Sequence, residues 1–206
     1  MNRTASAAAV IALALAAGTA GAAYSQGAMP APVTDPAQVP AGHYVVDGHH
    51  AALIVQVRHL GLTHSTFRFN KVDGAFDYDP AHPEATKVMA TIDATSFDQG
   101  DPAISKDFAT KFLGADKNPT ITFVSTSIKK SDPTHGVMNG DLTFEGVTKP
   151  VALNLTFDGF MPMMGGHMGF SGRGAIKRSD FAPLTMPTAV IGDDVDVTLE
   201  IEFTKK

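Results

Sequence analysis

The stretch Gly48–Phe69, GHHAALIVQVRHLGLTHSTFRF, decides how the chain is read. It holds four of the eight histidines (His49, His50, His59 and His64) together with Arg58, so it can be a metal or proton-transfer site, or a β-strand. Alternation separates these readings. Ala51, Leu53, Val55, Val57 and His59 share one parity, and His50, Ala52, Ile54, Gln56 and Arg58 share the other. Successive strand residues point to opposite faces, so the nearly all-apolar first set faces an interior and the polar groups face outward. His50 and His59, nine positions apart and of opposite parity, would lie ~30 Å apart along an extended strand. They cannot share an ion. His64 can meet His59 across the Gly61 turn, but two imidazoles fall short of the converging ligands a metal site needs. The stretch is therefore a barrel-wall strand with one inward histidine, His59.

The same rhythm continues outward. Strands are expected at 50–60, 65–78, 88–94, 120–129, 136–144, 151–160, 168–178 and 194–204, separated by turn-rich segments such as KSDPTHG and FEGVTKP. Inward sets recur: Val195, Val197, Leu199, Ile201 and Phe203; Ile121, Phe123 and Ser125; Gly140, Leu142 and Phe144; Val151, Leu153, Leu155 and Phe157. Eight strands with almost no helical periodicity predict an all-β, eight-stranded antiparallel barrel, which leaves no sheet edge exposed. A barrel of this size either packs solid or encloses one small apolar ligand, and periodicity leaves both open. One short helix is expected to cap or flank the barrel. Asp101 can cap it, Pro102 occupies its first position, Ile104, Phe108 and Phe112 form one apolar stripe, and Gly114 stops it.

Residues 1–25 have the form of a cleaved signal peptide. Arg3 precedes the apolar run Ala7–Ala17, and small residues follow. That run is too short to span a bilayer, which takes about 20 residues, and no other run approaches that length. Residues 26–42, with four prolines, are expected to be an extended linker or arm rather than packed structure, and residues 43–206 to be one domain. The chain has no cysteine, which excludes disulfides, thiolate metal sites, a cysteine nucleophile and a lipoprotein anchor. Without residues 1–25, 15 basic residues face 21 acidic ones, a net charge of −6. Such a chain lacks the basic footprint that nucleic acid or an anionic membrane requires.

Chemical motifs are sparse. No Gly-x-Ser-x-Gly elbow occurs, and no serine has an identifiable base. Asp73, Asp77 and Asp79 lack the twelve-residue calcium-loop pattern, and GRGAIKRSD lacks the phosphate-cradling lysine. The strongest metal candidate is the methionine-rich loop at 161–168, where Met161, Met163, Met164, His167 and Met168 offer soft ligands suited to Cu(I). The other reading of that loop is a hairpin whose methionines shield the barrel mouth or touch lipid.

Four blocks resemble the YceI-like family: YVVDGHHAALIVQVRHLGLTHSTFRFNKVDGAF (44–76), DFATKFLGADKNPTITFVSTSI (107–128), NGDLTFEGVTKPVALNLTF (139–157) and GFSGRGAIKRSDFAP (169–183). Three departures from the family pattern stand out. Ala51 follows His50 where the family has serine, Ala103 stands where a histidine is common, and Ala182 stands where glycine is expected. The resemblance implies a lipocalin-like barrel, exported to the periplasm, that holds a polyisoprenoid or an isoprenoid-quinone-like lipid and performs no catalysis. On that reading the ligand contacts are Leu53, Val55, Val57, His59, Phe76, Phe108, Phe112, Phe123, Leu142 and Phe144. Arg178 follows the inward parity of Phe170, Gly172, Gly174 and Ile176. It could pair a lipid pyrophosphate, or tie Asp180 or the C-terminal loop. His59 or Arg178 would orient a head group. The expected partner is an amphiphilic isoprenoid lipid, with no other cofactor, no nucleic acid and no stable membrane insertion. The oligomeric state is left open between monomer and homodimer. The alternative functions are copper handling through the methionine loop and a ligand-free, stress-related barrel.

Overall fold

β1 (Gly42–His59) is the strand on which the sheet closes. Along one edge it pairs with β10 (Ile191–Lys205), from Tyr44↔Lys205 to His59↔Ile191. Along the other, its first part pairs with β3 (Val72–Tyr78) and its second with β2 (Thr63–Phe69). The computed structural model describes residues 29–181 and 185–206 of the chain. The signal peptide expected at 1–25 and Ala182 lie outside them.

The remaining strands are β4 (Val88–Asp93), β5 (Phe97–Asp98), β6 (Thr120–Lys130), β7 (His135–Phe144), β8 (Val147–Met161) and β9 (His167–Lys177). Apart from β5, they follow one another as an antiparallel meander, β4 pairing directly with β6. β2 and β3 form one wall strand broken at Asn70–Lys71, where both backbone N–H groups donate to Ser96. β5 adds a two-residue pairing to β2. Counted by walls, the barrel has the eight antiparallel strands that the hydrophobic rhythm predicts, and closure at β1–β10 leaves neither strand with an open edge there.

Three local details differ from the sequence reading. β1 starts at Gly42 rather than His50, because the wall continues through an irregular segment that parity does not anticipate. β8 starts at Val147 and includes Pro150, which lies where β8 pairs with β7 and not yet with β9, so its missing N–H interrupts no ladder. The segment expected to be an unpacked linker joins the barrel from Val33 onward. Val33 bridges to Phe160, residues 36–38 form a 3-10 turn capped by Asp35, and Val39 is fully buried. Tyr44 and Tyr78 hold this arm by donating their hydroxyls to the carbonyls of Pro40 (2.7 Å) and Pro36 (3.0 Å).

The helix α1 (Pro102–Phe112) forms as expected, with Asp101 Oδ1 accepting the N–H groups of Ala103 and Ile104 at 2.9 and 3.1 Å. Its packed face is turned by one residue from the expected stripe. Ser105 and Ala109 are buried, Phe108 is half-buried, and Ile104 is exposed. Ser105 Oγ explains the turn: it donates to Asp101 O and accepts from Gln99 N, drawing that face onto the barrel end.

Residues 31–206 form one compact unit with two separate buried clusters. One contains Tyr44, Phe76, Phe157, Phe160, Met168 and Phe203 under the N-terminal arm. The other contains Phe69, Ile92, Phe97, Ala109 and Ile121 under α1. Between them the inward side chains of Leu53, Val55, Leu153, Leu155 and Leu199 are only half-buried. They border a cavity.

Candidate functional site

The strand alternation that makes the walls also makes this cavity. Inward positions of β1, β7, β8 and β10 supply Leu53, Val55, Leu142, Leu153, Leu155, Val197 and Leu199, so the middle of the barrel is lined by aliphatic carbon. The cavity has a volume of about 770 Å³, within the range of small-molecule sites, roughly 300–1,000 Å³. Periodicity does not separate a solid from a hollow barrel, and a solid core is the default expectation; the tertiary structure is hollow.

Aromatic residues close both ends. Under the arm, Tyr44 stacks on Phe76 (ring centroids 5.6 Å apart), and Phe76 meets Phe203 edge-on at 4.8 Å. Under α1, Phe67 and Phe97 (4.9 Å) continue to Phe108 and Phe112, whose rings lie 4.7 Å apart. These are the offset and edge arrangements that aromatic quadrupoles favour.

All eleven residues singled out in the sequence border the cavity: Leu53, Val55, Val57, His59, Phe76, Phe108, Phe112, Phe123, Leu142, Phe144 and Arg178. They do not form one cluster. Phe76 belongs to the arm end, whereas Leu53, Val55, Phe108, Leu142 and Phe144 pack against the helix-end cluster, with Phe112 beside Phe108. Sequence reasoning missed Phe67, Phe69 and Phe97. Phe67 and Phe69 carry the inward parity of β2, a signal available in the sequence. Phe97 sits on a two-residue strand too short for any period.

Among the described residues, the charged side chains bordering the cavity lie toward its ends. His59, Lys111, Glu145 and Arg178 border the helix end, and Lys130, Thr134 and His135 the other. Thr86 Oγ1 is buried there without a hydrogen-bond partner among the described residues. Arg178 donates Nε to Gly192 O at 2.8 Å and an Nη to Ile191 O at 2.6 Å. Asp193 instead accepts from the N–H and hydroxyl of Ser179, and Asp180 makes no ion pair with the guanidinium. Of the two structural roles expected for Arg178, the tie is to the C-terminal segment and not to Asp180. Burial lowers the Arg178 pKa against the attraction of Asp193, yet a guanidinium stays cationic at any physiological pH. Burial raises the phenol pKa of Tyr44 and Tyr78, so both remain neutral donors to the arm.

The histidines disperse. His59 is the inward one, whereas His49, His50 and His64 are exposed. In the methionine-rich segment, His167 and Met168 are adjacent on β9 and face opposite sides of the wall. His167 Nδ1 lies 3.2 Å from Glu202, while Met168 is fully buried in the arm-end cluster and Met164 is exposed. A thioether–imidazole set on one face is not assembled there.

A sequence profile of the YceI-like domain matches residues 44–203, from near the start of β1 to near the end of β10. The chain belongs to the YceI-like family. UPF0312 proteins are similar over nearly their full length. One from Vibrio cholerae is 35% identical over 171 residues, covering 81% of this chain and 89% of that protein. One from Pseudomonas aeruginosa is 35% identical over 170 residues, covering 80% and 88%. Among solved structures, Burkholderia cenocepacia BcnA superposes with a TM-score of 0.67 at 25% identity, covering 76% of this chain and 98% of that one. The Campylobacter jejuni YceI protein gives 0.65 at 30% identity, covering 72% and 90%. A polyisoprenoid binding domain from Saccharophagus degradans shares the fold, with a TM-score of 0.58 at 12% identity over 81% and 100% of the two chains. Among the described residues, no helix of this YceI-like chain is long and apolar enough to cross a membrane.

Proposed function

We propose that this YceI-like protein is an exported, periplasmic binding protein that holds one long apolar lipid, an isoprenoid or isoprenoid quinone, inside the barrel, and that it is not an enzyme. The observation that carries the reading is the cavity of about 770 Å³, aliphatic along its middle and, among the described residues, charged toward its ends. Apolar contact stabilises a ligand by roughly 25 cal/mol per Å² buried and carries little information about a head group. An elongated apolar guest with one polar end fits that distribution. The fold shared with a polyisoprenoid binding domain supports the same class of guest. Arg178 and His59, both at the helix end, would orient the polar head, while Leu53, Val55, Leu142 and Phe123 would contact the chain.

Native mass spectrometry of protein purified from its own periplasm, followed by lipid extraction, tests the reading. The expected result is a bound mass that extracts into organic solvent and carries an isoprenoid fragmentation pattern. An apo mass from every preparation, together with no uptake of an added isoprenoid quinone, would reject it.

A further inference from the structure

A second constellation lies on the outside of the barrel, away from the cavity. Between the pairs Val46↔Phe203 and Ala51↔Ile201, β1 contributes four residues (Asp47, Gly48, His49 and His50) opposite the single residue Glu202 of β10. Such an insertion re-aims the side chains it carries. It brings Asp47 to Glu202, and β9 brings His167 alongside. One ligating atom from each of Asp47, His167 and Glu202 lies within 4.8 Å of the other two. Asp47 and His167 are largely removed from water, with side chains 15% and 16% exposed. His50 Nδ1 holds Asp47 Oδ2 at 2.8 Å, and the His49 N–H donates to Asp47 Oδ1 at 2.9 Å.

Two further observations point to a ligand. Asp47 and Glu202 are ion-paired only to imidazoles among the described residues, Asp47 to His50 and Glu202 to His167, with no lysine or arginine neutralising either carboxylate. Beside them is a depression of about 300 Å³ lined by His49, His50 and Glu202, along with Arg68, Asp158 and Glu200.

We propose that Asp47, His167 and Glu202 bind a divalent first-row transition ion of the zinc class, water completing the shell and His50 acting as a positioning residue for Asp47. The donor set selects the ion. An imidazole with two carboxylates suits Zn²⁺ and its neighbours, the chain offers no thiolate, and Ca²⁺ or Mg²⁺ would ask for six or more oxygens. Ligand distances of about 2.0–2.2 Å put ligand atoms roughly 3.3 Å apart, so side-chain torsions close the present spacing with the wall unmoved. The ion would clamp the β1 insertion to β9 and β10, at the seam where the barrel closes. The site takes His167 from the methionine-rich segment but none of its thioethers, and Met168 beside it faces the interior.

The test is isothermal titration of ZnCl₂ into mature protein without a histidine tag, dialysed against chelator. One site per chain is expected. His167→Gln and Glu202→Gln should each weaken it at least tenfold, while Met163→Leu/Met164→Leu and the distant pair Asp132→Asn/His135→Gln leave it unchanged. Zn²⁺ should raise the melting temperature of the wild type and not of the two ligand variants. No binding by the wild type, or wild-type affinity in both ligand variants, overturns the proposal, as does loss of binding in the Asp132/His135 pair instead. If a ligand variant fails to fold, anomalous diffraction at the zinc edge from wild-type crystals decides: density between Asp47, His167 and Glu202 supports the site, and an ion elsewhere or none removes it.

Discussion

The edge of the Phe123 ring occupies the space a side chain on Gly140 would take. Gly140 pairs with Ser125 across β6–β7, and the Val124 carbonyl oxygen lies 2.7 Å from the position of an added Cβ. Gly140→Ala must therefore displace both. The ring can swing into the cavity, but the carbonyl belongs to the sheet. The expected loss is about 1–3 kcal/mol of stability, measured by urea unfolding. A change within about 0.5 kcal/mol would show that the sheet yields more easily than packed walls do.

Filling the cavity should separate binding from stability. Val55 is half-buried, faces inward, and is flanked across the wall by Phe67 and Val197. Val55→Trp places its extra bulk in empty space, so unfolding should shift by less than about 1.5 kcal/mol. Isoprenoid retained per protein should fall at least about tenfold, equivalent to about 1.4 kcal/mol of binding. Unchanged lipid occupancy in native mass spectra would place the guest elsewhere.

Arg178 should matter to stability independently of any ligand. Its two hydrogen bonds reach adjacent carbonyls, Ile191 and Gly192, at the start of β10. Hydrogen bonds from a charged donor contribute about 1.5–3 kcal/mol, so Arg178→Gln should cost roughly 2 kcal/mol in lipid-free protein. Arg178→Lys should recover little, because an ammonium is a point donor and cannot span two carbonyls as a guanidinium fork does. Equal stability of the lysine variant and the wild type in urea would contradict the two-carbonyl latch.

The β6–β7 turn makes a pH prediction. Asp132 accepts hydrogen bonds from the His135 side chain and from the N–H groups of Thr134 and His135, which hold its pKa down at about 2. A carboxyl depressed in the folded state contributes stability that is fully present above its unfolded pKa, near 4, and lost as pH falls through the folded value. The stability difference between wild type and Asp132→Asn should therefore shrink as pH falls from about 5 toward 2. A carbon-detected NMR titration should place the Asp132 midpoint below those of the solvated aspartates; a midpoint near 4 would exclude the turn geometry.

Much of the barrel was legible in the chain because its walls obey a two-residue period. Leu53, Val55 and Val57 were placed inward by parity alone, and so were Val195, Leu199 and Phe203. The helix was legible from Asp101 and Pro102, but its packed face was not, since Ser105 is drawn inward by partners that no hydrophobic pattern records. The arm at 33–39 was unreadable for a similar reason: its prolines signal extended chain, while its docking depends on carbonyls offered to Tyr44 and Tyr78.

The sequence by itself determined the strand count, the inward faces and the family, because each is written in local alternation and short motifs. Only the tertiary structure decided that the interior is hollow, since a solid and a hollow barrel share one period and differ in how far apart the walls are held. Only the tertiary structure brought Asp47 to His167 and Glu202. Residues so distant along the chain meet through closure of β1 on β10 and through an insertion that parity cannot foresee.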